Sequence, residues 1–507
     1  MSIRSALSNA YTGLSANSRL AEIVSRNVAN AATEGYAARS LALGNRVIVD
    51  AGAGVTVNGP VRAGDALLTA DRRRADARAG GQSDTAASLR AVSDLLNPRN
   101  AADSLASQYA AFENALKKLA DTPESPTIQA GVADAARVVT RSLNAITTDA
   151  RRVRVEADAD IARQVAAVNT ALTKIERLNK EIATATATGR DATSLIDERE
   201  RQVEVVNSIV PIRSSPQSDG RVALFSQGGA VLLDRTAQQL GFTATPVITE
   251  DMTLASPLAS KKLSNVTLRG ENVAPTAPTS ASALRGGTLE AAFRTRDDTI
   301  PAFTAQMDAV ARDLIERFQS PEVDPTLAPP PVVDAGLFVD GGPGGPAFDP
   351  VATPGQQTGL AGRIALNADV DPAQGGALFR LRDGVKAAAP GPAGASAIPL
   401  ALVDAFTALR TPAPPLTADA SGFDAPRDAA GLVAGLASLR EGFAAQAENA
   451  AAASRGAAAT LTDEELSVTA VDTDAELRDL LAIEKAYAAN ARVLQVVDSL
   501  MQQILEI

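Results

Sequence analysis

Three carboxylates, Asp334, Asp340 and Asp349, fall six and nine residues apart in a Pro/Gly-rich stretch and could be read as oxygen ligands for a divalent cation. That spacing fits no calcium-loop pattern, and aspartates scattered through such sequence ordinarily close turns on their own backbone. Other chemistry is scarce. The 507 residues include no His and no Cys, which removes the commonest general base, the thiolate nucleophile and the usual ligands of zinc, iron and copper. Carboxylate-only or Ser–Lys catalysis stays open, but no spacing singles it out. No catalytic, cofactor-binding or metal residue is therefore assigned, and the chain is expected not to be an enzyme.

The residues that do form a pattern are apolar and lie at the two ends. Ile3, Leu7, Ala10, Leu14, Asn17, Ala21, Val24 and Val28 recur in alternating steps of four and three, one face of a helix with Asn17 its only polar member. Leu480, Ile483, Tyr487, Asn490, Leu494, Val497, Met501 and Ile504 repeat the rhythm. Neither stripe can be buried by its own helix, so each requires a partner. Antiparallel pairing with Ile3 opposite Ile504 sets Asn17 opposite Asn490, a polar layer that would fix the register. The stripes are narrow, so both ends are expected to order only when neighbouring chains supply contacts.

Composition narrows the setting. A net charge of −11 argues against nucleic acid, because phosphate binding needs clustered Lys and Arg. The run Arg72-Arg73-Arg74 reads as a solvated helix face. No stretch approaches the roughly 20 apolar residues of a membrane span. The first twenty residues lack the continuous apolar centre of a secretory signal. Aromatics are only 3%, and the sequence is rich in Ala, which suits long helices packed at close range.

The elements that would carry the two stripes follow from periodicity and from Pro and Gly. The first helix stops in the turn 30–36, where Gly35 can take a positive φ and Tyr36 can fold back as an anchor. Val47, Val49, Val55 and Val57 predict a hairpin around Gly52-Ala53-Gly54, and helices are expected over 65–96 and 104–120. Between 128 and 182 apolar positions recur about every 3.6 residues, with no Pro, which predicts one straight helix over 128–187, about 90 Å long at 1.5 Å per residue. The rod turns at Gly189 and returns over 195–210. Gly228-Gly229 lies between two short β patterns, as in a hairpin. Helix is expected again over 289–318, with Pro301 starting a second segment, then over 400–409 and 429–461.

The predicted fold is mainly α with β-rich insertions: paired terminal coiled-coil helices, a long rod-helix domain and a β-rich middle domain. The corresponding domains are 1–64 with 462–507, 65–321 with 397–461, and a Pro/Gly-rich outer domain over 322–396. Chain order is thus nested, with the termini together at one end.

At this point the residues resemble the bacterial flagellar rod, hook and hook-associated axial proteins. Asn27-Val28-Ala29-Asn30-Ala31-Ala32-Thr33-Glu34-Gly35-Tyr36 with Arg39 is similar to that family's N-[IV]-A-N-x-x-T-x-G-Y pattern, and 480–497 is similar to its C-terminal helix. Leu195-Ile196-Asp197-Glu198-Arg199, Gly228-Gly229-Ala230-Val231 and Gly286-Gly287-Thr288-Leu289 resemble the hook-associated junction branch. The resemblance implies a structural subunit, synthesised in the cytoplasm, exported by the flagellar type III system and secreted to the hook–filament junction. Implied partners are lateral copies of itself, hook protein, a second junction protein on the filament side and an export chaperone on 474–507. Another axial protein, hook or distal rod, is the alternative, and an intracellular coiled-coil scaffold a weaker one. Ordinary packing would also account for Tyr36 and Tyr487, and a surface charge for Arg39.

Overall fold

A computed structural model describes residues 3–33, 35–48, 51–256, 258–273, 282–328, 333–349, 351, 353, 355–413 and 425–505. The chain opens with α1 (Ile3–Asn30), then an antiparallel hairpin of β1 (Arg39–Ile48) and β2 (Ala51–Arg62). Val47 pairs with Gly52 and Ile48 with Ala51, so Gly52-Ala53-Gly54 belongs to β2 and is not the turn of the hairpin. The glycine has another use. A Cβ on Gly54, where φ is +103°, would collide with the Thr12 side chain, so this residue lets α1 close on the hairpin.

Next come α2 (Ala66–Leu96), capped by the Asp65 carboxylate, α3 (Leu105–Asp121), capped by Ser104, and α4 (Pro126–Ala187), with Ser125 as cap and proline in the first turn. Helix α4 is the expected rod, and Val132, Val139, Leu143, Ala150, Ile161, Val168, Leu172, Ile175 and Ile182 of its stripe are buried. Gly189 takes φ +70° at the turn into α5 (Thr193–Ile209). A three-stranded antiparallel sheet follows, β3 (Ile212–Pro216), β4 (Val222–Ser226) and β5 (Val231–Leu233). A smaller sheet is built from β6 (Leu240–Gly241), β7 (Thr267–Leu268) and β8 (Glu271–Asn272). Two side chains of α4 bind strand backbone directly. The amides of Asn169 and Asn179 each donate to and accept from one residue, Leu240 and Val222 respectively.

Helix α6 (Gly287–Arg294) runs through a π turn at Thr295–Thr299 into α7 (Ile300–Phe318). Pro301 therefore sits in the first turn after the π segment of a continuous helical stretch; the wider turn accommodates the ring without a break. Beyond it, β9 (Phe338–Val339) pairs with β10 (Ala365–Leu366), and α8 (Arg380–Asp383) and α9 (Ala397–Thr407) lead to α10 (Ala429–Thr469) and α11 (Thr473–Leu505). The β content of 322–396 is slight: these two-residue strands are its only ladder among the described residues.

Two apolar cores share the rod. The first packs the N-terminal half of α4 against α3, α7, α9, α10 and the segment carrying Leu337, Phe338, Phe348 and Leu360, with Phe112 meeting Phe318, Phe338 and Phe406 edge-on at 5.5–6.0 Å. The second packs the C-terminal half of α4 against α5 and the β3–β5 sheet. Between them Arg296, fully buried, pairs with Asp158 and Asp297. Helices α2 and α10 run antiparallel alongside, tied at Arg72–Glu465, Gln82–Ser454 and Arg90–Glu441.

Asp308 on α7 accepts from the N–H groups of Gly359 and Ala361 at 2.7 and 2.8 Å, fastening the 359–361 turn to the first core. Burial, outweighing those hydrogen bonds, raises its pKa to about 6. The folded state thus holds this proton more tightly than the unfolded chain does. Its contribution is fully present below about pH 4 and is lost as pH rises through about 6, on the order of 2–3 kcal/mol. In denaturant titrations across that window Asp308→Asn is expected to flatten this fall in stability.

Candidate assembly interface

The terminal helices meet as an antiparallel pair. Asn490 of α11 lies against Gly13 of α1, where an added Cβ would come within 2.8 Å of its amide nitrogen, and Asn27 bonds Glu476. Asn490 therefore faces Gly13 and not Asn17, one helical turn out of the register with Ile3 opposite Ile504. The notch at Gly13 is the physical reason: it admits the Asn490 amide, whereas an Asn17–Asn490 layer would hold the helices apart. Asn17 is half-buried, and its amide nitrogen has no partner among the described residues.

The stripe is only partly used inside one chain. Ala10, Val24 and Val497 are buried, and Leu14, Ala21, Leu480, Ile483 and Leu494 are half-buried. Leu7, Val28, Tyr487 and Met501 are 44%, 39%, 49% and 46% exposed; the side chains of Ile3 and Ile504 lie outside the described residues. Ala16, Ile23 and Asn27 are buried instead, because α1 packs against the hairpin as well as α11 and its inner face is rotated accordingly. Helix α11 presents a further apolar face outward through Leu477, Leu481, Val493, Val496 and Leu500.

The turn after α1 builds a clamp. Asn30 donates from its amide to Arg26 O and accepts, through its carbonyl, from Thr33 N, while Tyr36 N donates to Thr33 O. Gly35 adopts φ +76°, and a Cβ there would press on the Arg201 side chain at 3.0 Å. This geometry folds Tyr36 back so that its hydroxyl donates to Asn27 Oδ1 at 2.8 Å. Asn27, fully buried, also accepts from Arg39 N at 3.1 Å and donates to Arg39 O at 2.8 Å and Glu476 Oε1 at 2.6 Å. One amide thus joins α1, the turn, β1 and α11.

Arg39 carries the clamp onward to the rod. Its guanidinium lies 4.7 Å from the Tyr36 ring centre and pairs with Asp197 of α5 at 2.7 Å, both side chains about 95% shielded. Asp197 also receives Arg62 of β2 at 2.8 Å. Arg39 is therefore no surface charge. Burial raises the pKa of Tyr36 and of Glu476, so the phenol stays a donor at neutral pH.

A second ionic layer lies beside it, and here the sequence reading fails. Arg73 is 6% exposed and pairs with Glu200 and Glu204, and Arg72 binds Asp76, Glu204 and Glu465; only Arg74 of that run is a solvated charge, beside Asp71. Asp76 sits one turn on along α2, but Glu200, Glu204 and Glu465 come from α5 and α10, remote in sequence, so no local spacing announces them. Asp197 and Glu476 were missed as clamp partners for the same reason.

The three central aspartates do not converge. Asp340 is held by Arg363 and Gln356, Asp349 accepts from Val351 N, and Asp334 accepts from Ala328 N. No group of metal-ligating side chains is found among the described residues, and no described helix is long and apolar enough to cross a membrane.

Two regions of the chain are similar to known flagellar protein families. The family model "Flagellar hook-associated protein FlgK helical domain" matches residues 89–321, and "Flagellar basal body rod FlgEFG protein C-terminal" matches 464–507. Flagellar hook-associated protein 1 of Bacillus subtilis is 27% identical over 250 residues, 46% of this chain and 49% of that one. The protein of the same name from Salmonella typhimurium is 27% identical over 244 residues, 46% and 44% of the two chains. The chain thus spans about half the length of the curated relatives it matches. A solved structure, the flagellar hook junction protein FlgK of Burkholderia pseudomallei, overlaps 52% of this chain and 47% of its own at 19% identity and a TM-score of 0.39. The segment 89–321 is thus similar to the helical domain of flagellar hook-associated protein FlgK, and 464–507 to the C-terminal segment of flagellar basal body rod proteins.

Proposed function

We propose that this protein is a structural subunit of the bacterial flagellum that forms the junction between hook and filament. It polymerises through its terminal helices after export by the flagellar type III system. The observation that carries the reading is the half-used seam: α1 and α11 pair within one chain yet leave Leu7, Tyr11, Leu481, Val496 and Leu500 between 42% and 71% exposed. Exposed apolar side chains on both paired helices call for further helices, which lateral copies would supply. Hook protein on one side and a second junction protein on the other are the remaining partners. The 1–64 and 462–507 unit would line the tube, with 65–321, 397–461 and 322–396 outside it.

A strain lacking the protein tests this directly. It is expected to make hooks and to shed unattached flagellin; absence of hooks would assign the chain to the hook or distal rod instead, and normal filaments would refute both. Before export, the amphipathic segment 474–507 fits the groove of an export chaperone. Deleting 494–507 is expected to abolish chaperone binding without lowering the melting temperature of the rod, and unchanged binding would refute the assignment.

A further inference from the structure

Away from the helix pair, α2, α10 and the 285–299 segment enclose a cleft of about 1040 Å³, at the upper end of small-ligand sites. Arg440 of α10 lines it and is 5% exposed. Three other deeply buried arginines have every guanidinium nitrogen engaged. Arg296 has two carboxylates, Arg317 has Asp313 and four backbone carbonyls, and Arg154 has three carbonyls.

Arg440 differs. Its Nε and Nη2 share a single acceptor, the Gln306 side-chain oxygen, and its remaining neighbours are the rings of Phe303 and Phe443 at 5.6 and 5.9 Å. Among the described residues no carboxylate pairs with it and Nη1 donates to no acceptor. Burial without a counter-charge holds its pKa down to about 10. Taking a guanidinium out of water without an anion is costly, and a bound carboxylate would relieve that cost through two parallel hydrogen bonds.

The rim has the same bias. Among the lining residues Glu290 and Arg294 neutralise each other, Arg74 is taken by Asp71 and Asp297 by Arg296, while Arg78 and Arg440, against Asp298, form no ion pair among the described residues. A local excess of positive charge in a chain of net charge −11 marks a place for an anion.

We propose that this cleft binds a carboxylate, seated on Arg440 at its base and steered by Arg78 at its mouth. The group could belong to a small polycarboxylate or to an acidic side chain of a protein segment, and both recognise the same planar fork. The inference is independent of the terminal helices. Calorimetric titration of the full-length protein at low salt with citrate, and separately with a tetraglutamate peptide, distinguishes the sources.

The wild type is expected to bind at least one of the two. Arg440→Met is expected to weaken that binding at least tenfold without lowering the melting temperature, since an apolar chain replaces an uncompensated charge. Arg78→Ala, on an exposed site where folding is not at stake, is expected to weaken it about threefold and to reduce its salt dependence. Absence of binding by the wild type overturns the proposal. So does an Arg440→Met protein that melts lower yet binds as before, which would make the guanidinium a packing element only.

Discussion

Replacing Asn27 with leucine is expected to abolish flagellar assembly while leaving the melting temperature of the rod unchanged. The substitution fills the same space but strands four partners at once: the Tyr36 hydroxyl, Arg39 N, Arg39 O and Glu476 Oε1. Each buried polar group left without a hydrogen bond costs about 1–3 kcal/mol, so the loss is on the order of 4 kcal/mol or more, a large share of what holds any domain folded. It falls on the docking of the terminal pair and not on the two apolar cores around α4, because all four partners belong to the 36–39 segment and α11. Swimming on soft agar and scanning calorimetry of the purified variant measure the two effects separately. Normal swimming would show that the clamp is dispensable.

How the clamp could be half-read from sequence is instructive. Gly35 and Tyr36 after a helix stop announce a folded-back turn, and α4 is written into an uninterrupted 3.6-residue period with no proline. What could not be read is where distant charges converge. Arg39 looks like any surface arginine until Asp197, 158 residues on, is brought against it. Arg72 and Arg73 look solvated until α5 and α10 supply Glu200, Glu204 and Glu465. The terminal register failed for a related reason: matching polar positions suggested Asn17 opposite Asn490, but the close approach permitted by Gly13 decided it. Heptad spacing gives a face and a direction, and steric detail sets the register. The rotated inner face of α1 follows from the hairpin, whose contact with that helix leaves no periodic mark.

Phe112→Ala is expected to destabilise the rod by about 3–5 kcal/mol, the range for removing a fully buried aromatic. Its ring is the hub of an aromatic cluster that gathers Phe318 from α7, Phe338 from β9 and Phe406 from α9. Three chain segments, including the Pro/Gly-rich one, therefore lose edge-to-face contacts together, and the surrounding helices cannot collapse into the void. Urea unfolding followed by circular dichroism should show a lower midpoint with an unchanged slope. The α5 and β3–β5 core, at the other end of α4, offers an internal comparison: a loss of unfolding free energy under about 1 kcal/mol would mean that the aromatic cluster contributes little.

The central claim, that the outer face of the terminal helices is buried by neighbouring subunits, has a direct test because the native chain has no cysteine. Val496→Cys places a thiol on that face, where the side chain is 57% exposed in the single chain, and Val247→Cys places one on a 69% exposed site outside the terminal pair. Maleimide labelling rates are then compared between purified monomer and assembled hook–filament structures. Rapid labelling of both monomers, with the thiol at 496 protected and that at 247 still reactive after assembly, is the expected result. Equal reactivity of the thiol at 496 in the two states would contradict the account.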